Sequence, residues 1–139
     1  DYVINLISGG FLKGVLHAIR NPLNETAKHF ANYFELPEIN HHLLEGLKFP
    51  KNWQSSSLFV FIASDYFSTK LKTRLKLTRE IFKQNSLKTI IVDLTGENPF
   101  MQVFELLQLF SFISYYLAIL HNIDPAPVPW VDYFKKKLK

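Results

Sequence analysis

Short, unbroken apolar runs alternate along this chain with longer stretches in which apolar residues recur at helical spacing. Tyr2 to Ser8 is β-branched and apolar, meets Gly9-Gly10, and gives way to a helical pattern from Phe11, which predicts a strand, a turn and a helix. Pro22 cannot extend a helix smoothly, whereas Asn21 suits an N-cap and Pro a first helical position. A kink or restart is therefore expected there, with the second piece carrying Leu23 to Asn32. Pro37, in Leu36-Pro37-Glu38-Ile39, is placed to start a short helix that Gly46 ends.

The Ser-rich stretch Trp53 to Ser57 leads into Leu58 to Ala63, which reads as a strand buried on both faces and stopped by Ser64-Asp65. Ser68 to Gln84 sets Leu71, Leu75, Ile81 and Phe82 among Lys and Arg, the pattern of an amphipathic surface helix. Thr89 to Leu94 reads as another buried strand, followed by the turn Thr95-Gly96 and a helix start at Pro99. Val103 to Leu120 is almost wholly apolar and long enough to raise the question of a membrane span. Glu105, Gln108, Ser111 and Ser114 argue against one; a central helix packed against a sheet and a partner subunit accounts for the same run. Pro125, Pro127 and Pro129 stiffen an extended link, and Trp130 to Leu138 makes a last helix. The sum is one domain over residues 1–139, its link and terminal helix occupying 123–139. Strands alternating with helices imply right-handed crossovers and a parallel sheet with helices on both faces, a three-layer α/β sandwich.

Composition agrees with a packed domain, since 139 residues with 47% hydrophobic and 15% aromatic content can bury a core. There is no Cys, which removes disulfides, thiolate zinc sites and cysteine nucleophiles. The net charge of +4 comes largely from Lys70 to Lys83 and Lys135 to Lys139, read as solvated helix faces. The aromatics fall in strands and core helices instead of alternating with Lys and Arg, so nucleic-acid binding is not expected. With no basic leader before an apolar core, the expected location is cytoplasmic. A start without Met, directly on a strand, reads as part of something longer.

Motif chemistry narrows the field by absence: there is no GxGxxG, GxxxxGK[ST], HExxH or GxSxG. Gly9-Gly10 is half of a phosphate loop without its hydroxyls, and a tight turn explains it better. His41 and His42 are adjacent, so on a helix they project roughly 100° apart and do not share a metal. No metal and no cofactor is expected. Glu25 stands three residues before Lys28, and an exposed ion pair is its ordinary reading; a catalytic carboxylate is the alternative.

Several segments in order resemble one family. Asn24-Glu25-Thr26-Ala27-Lys28, Leu36-Pro37-Glu38-Ile39-Asn40-His41, Ser114-Tyr115-Tyr116-Leu117-Ala118 and Ile123-Asp124-Pro125-Ala126-Pro127-Val128, with Lys135 and Leu138, are similar to the C-terminal signatures of the phosphoglucose/phosphomannose isomerases. Leu6 to Val15 resembles the opening of that family's second sugar isomerase (SIS) subdomain, whose sandwich is flavodoxin-like. The resemblance implies an aldose-ketose isomerase of sugar 6-phosphates that works through a cis-enediol without metal. Glu25 would be the base, His41 would help open the ring in a partner's site across a homodimer, and Lys135, or else Lys136, would assist at the ring oxygen. Arg20, Asn24, His42 and Lys136 would border the substrate. The phosphate-gripping loops and an enediolate-stabilising Arg belong to the N-terminal SIS subdomain, absent from this chain. Departures stand at Pro22, at His42 where Asn is common and at Ala126 where Thr often stands. They leave a second reading open, a non-catalytic phosphosugar-binding or regulatory dimerisation module.

Overall fold

The computed structural model describes residues 1–138. Its centre is a four-stranded parallel sheet in the order β2-β1-β3-β4, formed by β1 (Val3–Gly9), β2 (Ala31–Leu36), β3 (Ser57–Ala63) and β4 (Lys88–Asp93). The helices are α1 (Lys13–Glu25), α2 (Ile39–Gly46), α3 (Thr69–Gln84), α4 (Pro99–Leu120) and α5 (Pro129–Lys137). From β1 the chain moves outward to β2, then back across to β3 and on to β4. Because parallel crossovers keep one hand, this reversal puts α1 on one face and α3 on the other. The expected α/β sandwich with helices on both faces is therefore what forms.

The pleat shows how each face is covered. On β1 and β3, Leu6 pairs with Val60, while Asn5 and Ile7 pair with Phe59 and Phe61. Phe59 and Phe61 close edge-on upon Phe82 of α3, at 4.8 and 5.5 Å between ring centroids, a geometry favoured by ring quadrupoles. On the other face α1 itself offers Val15, Leu16, Ile19 and Leu23, one helical stripe, all buried. Gly10 lies in the left-handed region at φ 60, and a Cβ on Gly9 would meet the Leu36 carbonyl at 2.9 Å. The glycine pair is a tight turn required by backbone conformation and strand approach.

Four local expectations are corrected. Leu23 to Asn32 does not form a second helical piece: only Leu23 to Glu25 are helical, as the end of α1, Lys28 takes φ 50, and Ala31–Leu36 is a strand paired along β1. Left-handed backbone at Lys28 cannot continue a right-handed helix, and Tyr33 and Phe34 favour the pleated sheet they join. Pro22 does not restart the helix, which is continuous through it. Only three residues follow Pro22 in α1, so the lost backbone bond falls in a turn that is ending anyway. β4 is not buried on both faces; Ile90 and Ile91 remain 43% and 38% exposed because β4 is the sheet's edge. Finally, α4 is not a central helix on the sheet. Its buried positions Gln102, Leu106, Phe110, Ser114 and Ala118, each four residues apart, form one ridge, and the helix it packs on is α1.

The outer face of α4 stays apolar and exposed, and the helix is long and apolar enough to cross a membrane by length and composition. Its first turns are nonetheless built into the domain. Asn98 caps it by accepting from the Met101 amide, and the Gln102 side chain donates to the Gly96 carbonyl at 3.0 Å. The Glu105 carboxylate accepts from the Gly96 amide at 2.8 Å, the Thr95 amide at 3.0 Å and the Thr95 hydroxyl at 2.9 Å. Partial burial, the largest single influence, pulls the Glu105 pKa upward, but these hydrogen bonds outweigh it and hold the carboxyl below its ordinary value. A lowered folded pKa stabilises the fold fully above the unfolded carboxylate range and loses that contribution as pH falls through the folded value. Glu105→Gln should therefore cost about 1 kcal/mol at neutral pH, with the difference from the parent vanishing in acid. Urea midpoints of both chains at the two pH values test this, and a difference that persists in acid contradicts it.

Candidate active site

Helix α1 runs antiparallel to the strands, so its last turn reaches the edge where β2 begins. There Arg20, Asn24 and Glu25 line one side of an open cleft of about 760 Å³. Asn24 explains the local geometry. Its amide nitrogen donates to the Ala31 carbonyl at 2.9 Å and to the Arg20 carbonyl at 3.1 Å, and its oxygen accepts from the Ala31 amide at 3.2 Å. The side chain thus fastens the end of α1 to the first residue of β2, and those bonds leave its amide largely committed to backbone.

Arg20 is oriented rather than loose. Its Nη2 and Nε donate to Asn21 Oδ1 at 2.8 and 3.2 Å, and its guanidinium lies 5.4 Å from the Tyr33 ring centre, within cation–π range. Glu25 is exposed at the cleft and, among the described residues, has no ion-pair partner. The ion pair expected with Lys28 does not form. Lys28 Nζ donates instead to the Glu25 main-chain carbonyl at 2.8 Å and to the Pro125 carbonyl at 2.9 Å. The carboxylate is left available to a ligand.

The remaining sequence-predicted residues lie elsewhere. His41 and His42 are exposed on α2, which follows the opposite end of β2 and packs with α3 on the other face of the sheet. A strand of this length places the two ends roughly 20 Å apart, so within one chain neither imidazole reaches Glu25. Asn40, beside them, ties α2 to α3 by donating to the Thr78 hydroxyl at 2.8 Å. Lys135 and Lys136 stand exposed in the last turn of α5, past the cleft lining. Among the described residues no three His, Asp or Glu side chains converge as a metal-holding group.

Sequence reading missed the cleft's second wall. Phe30, Val128, Pro129 and Trp130 form it, so that the prolyl link and the start of α5 face α1. The signal was an exposed Trp directly after a proline at a helix start, which pattern alone assigns to no surface. The opposite, carboxyl edge of the sheet is where open α/β folds commonly bind ligands. Here it carries a crevice of about 230 Å³ beside Ser64, Lys72 and Asp93, and a shallower hollow of about 440 Å³ lies past the end of β4 at Thr95, Gly96 and Phe104.

Comparison with known proteins gives a consistent relationship. The family model described as the bacterial phospho-glucose isomerase C-terminal SIS domain matches residues 1–138. A bifunctional phosphoglucose/phosphomannose isomerase of Aquifex aeolicus is 24% identical over 120 residues, covering 86% of this chain and 37% of that protein. That of Thermoplasma acidophilum is 25% identical over 128 residues, covering 91% and 39%. The chain thus spans about two fifths of the length of these relatives. Among solved structures, a glucose-6-phosphate isomerase like protein from Thermus thermophilus superposes with TM-score 0.71 at 20% identity, over 92% of this chain and 43% of that one. The C-terminal domain of glucosamine-fructose-6-phosphate aminotransferase from Francisella tularensis gives 0.68 at 15% identity, over 90% and 37%. At those identities the two structures speak for the fold. With the family model matched from the first residue through Leu138, the resemblance read from the motifs is confirmed, and the chain belongs to the bacterial phospho-glucose isomerase C-terminal SIS domain family.

Proposed function

We propose that this chain is the base-bearing domain of an aldose-ketose isomerase acting on glucose 6-phosphate or mannose 6-phosphate and fructose 6-phosphate. The observation that carries this reading is the Glu25 carboxylate, without an ion-pair partner among the described residues, in a cleft it shares with Arg20 and Asn24. Glu25 takes the proton from C2 of the open-chain aldose while the C1 carbonyl oxygen gains one, giving a cis-enediol. Return of a proton to C1 and loss of the O2 proton give the ketose. A positioned carboxylate suits a transfer between adjacent carbons on one face, because the same group can accept and return the proton.

The other expected groups enter from outside this cleft. His41 lies too far along the sheet to serve Glu25 of its own chain, which supports a site completed by the imidazole of a second protomer. Lys135, with Lys136 as the alternative, projects from the arm that borders the cleft and is assigned to the ring oxygen; His42 flanks His41. The phosphate grip is assigned to the N-terminal SIS subdomain. The chain's two-fifths share of its relatives' length and the C-terminal character of its family support that division. Substrate is bound without a cofactor.

Two measurements test this reading on the full-length parent protein. Glu25→Gln should lower kcat for fructose 6-phosphate to glucose 6-phosphate conversion by about 10²- to 10⁴-fold, the usual worth of a positioned general base; an unchanged rate removes Glu25 from the role. Mixing Glu25→Gln and His41→Ala protomers, each inactive alone, should restore about a quarter of parental activity, because half of the dimers formed are mixed and one of their two sites is intact. No recovery after subunit exchange would rule out delivery of His41 across a two-fold interface.

A further inference from the structure

The C-terminal arm is an oddity of this domain, because α5 has no buried residue and Trp130 is 81% exposed. A nine-residue helix is too short to persist alone in water. Its link is nevertheless fastened at one point. The Lys28 ammonium joins the carbonyl that ends α1, at Glu25, to the carbonyl of Pro125, which lies 97 residues after Lys28 itself. Just beyond, Asp124 Oδ1 accepts from the Ala126 amide at 2.9 Å and shapes the turn that sends the chain back toward α1. Val128, Pro129 and Trp130 then stand across the cleft from Arg20, Asn24 and Glu25.

The two walls differ in chemistry. One offers a guanidinium, a carboxylate and side-chain amides; the other offers an indole, a prolyl ring and Val128, with Phe30 beside them. A ligand that fits both has a hydroxyl-rich edge and an apolar C–H face, which describes a carbohydrate. Indole faces are electron-rich and large, and they cover such C–H surfaces at little entropic cost.

We propose that Lys28 is a positioning residue that clasps the C-terminal arm across the cleft, so that the Trp130 indole forms the wall along which the sugar's carbon chain lies. The ligand class rests on the isomerase reading given above; the clasp itself does not. Removing the ammonium releases Pro125, and the wall moves away from Glu25 while the sheet and its core remain. Lys28→Arg keeps a donor at the same place and restores the wall in part.

The test uses the full-length parent protein, in which the phosphate grip is present, and reads the two tryptophans of this domain, Trp53 and Trp130. Their indole N–H resonances are assigned with Trp53→Phe and Trp130→Phe and followed during titration with fructose 6-phosphate. The Trp130 resonance should shift saturably while that of Trp53 stays in place. Lys28→Met, which keeps the aliphatic stem, should displace the Trp130 resonance before any sugar is added and weaken the apparent Kd about tenfold, as expected for loss of a charged hydrogen-bonded strut. Lys28→Arg should recover much of both effects. Unchanged far-UV dichroism and an unmoved Trp53 signal confirm that Lys28→Met is folded; if it is not, the Lys28→Arg comparison decides. A Trp130 resonance indifferent to fructose 6-phosphate, or a folded Lys28→Met chain matching the parent in Trp130 signal and Kd, overturns the proposal. Glu25→Gln should still shift Trp130 on titration. A parent protein that turns over normally with Glu25→Gln, while Trp130 still responds, sinks the assignment of the base and leaves the clasp standing.

Discussion

The amide of Asn24 holds the end of α1 to the start of β2 by bonding both the carbonyl and the N–H of Ala31. Everything at the cleft depends on that join. It stops the helix one residue before Thr26, sets the carboxylate of Glu25 at the strand edge, and starts a strand that must run parallel to β1. A buried or half-buried backbone group at such a junction needs a partner, and Asn supplies both a donor and an acceptor from one rigid group. Arg20 belongs to the same arrangement, since its carbonyl receives the second Asn24 hydrogen and its guanidinium is steadied by Asn21 and Tyr33.

The domain is well packed where it is layered and open where it is not. Phe82 locks between Phe59 and Phe61, and the α4 ridge from Gln102 to Ala118 rests on α1. By contrast, the outer face of α4, the edge strand β4 and all of α5 expose apolar side chains. Contiguous apolar surface of this kind marks interaction sites in soluble domains. The histidine pair stands on α2, on the far face of the sheet from the cleft, so its imidazoles and the Glu25 carboxylate do not meet within one copy of the chain.

Much of the layering was legible in the chain because it depends on local signals. Leu58 to Ala63 is an unbroken apolar run with no polar face to turn to water, and Leu71, Leu75 and Phe82 recur at helical spacing among Lys and Arg. Pro99, after the turn Thr95-Gly96, marks a helix start. The strand at Ala31–Leu36 was not legible, because Asn32, Tyr33 and Glu35 interrupt its apolar character and its identity comes from pairing with β1. The burial of β4 was over-read for the same reason: Ile90, Ile91 and Val92 are apolar whether or not a helix covers them. At the site, the motif around Glu25 was readable as a string of residue types, while the arm wall was not, because Lys28 and Pro125 are distant in sequence.

The sequence by itself determined the α/β class, the positions of β1, β3 and α3, and the residue types that place this chain among the SIS domains, because strand runs, helix caps and motifs are properties of neighbours along the chain. Only the tertiary structure decided that Asn24 serves the backbone, that Lys28 pairs with main-chain carbonyls instead of with the Glu25 carboxylate, that His41 stands on another face from Glu25, and that Trp130 walls the cleft. Each of these depends on which distant segments the sheet order and crossover hand bring together, and no local pattern carries that information.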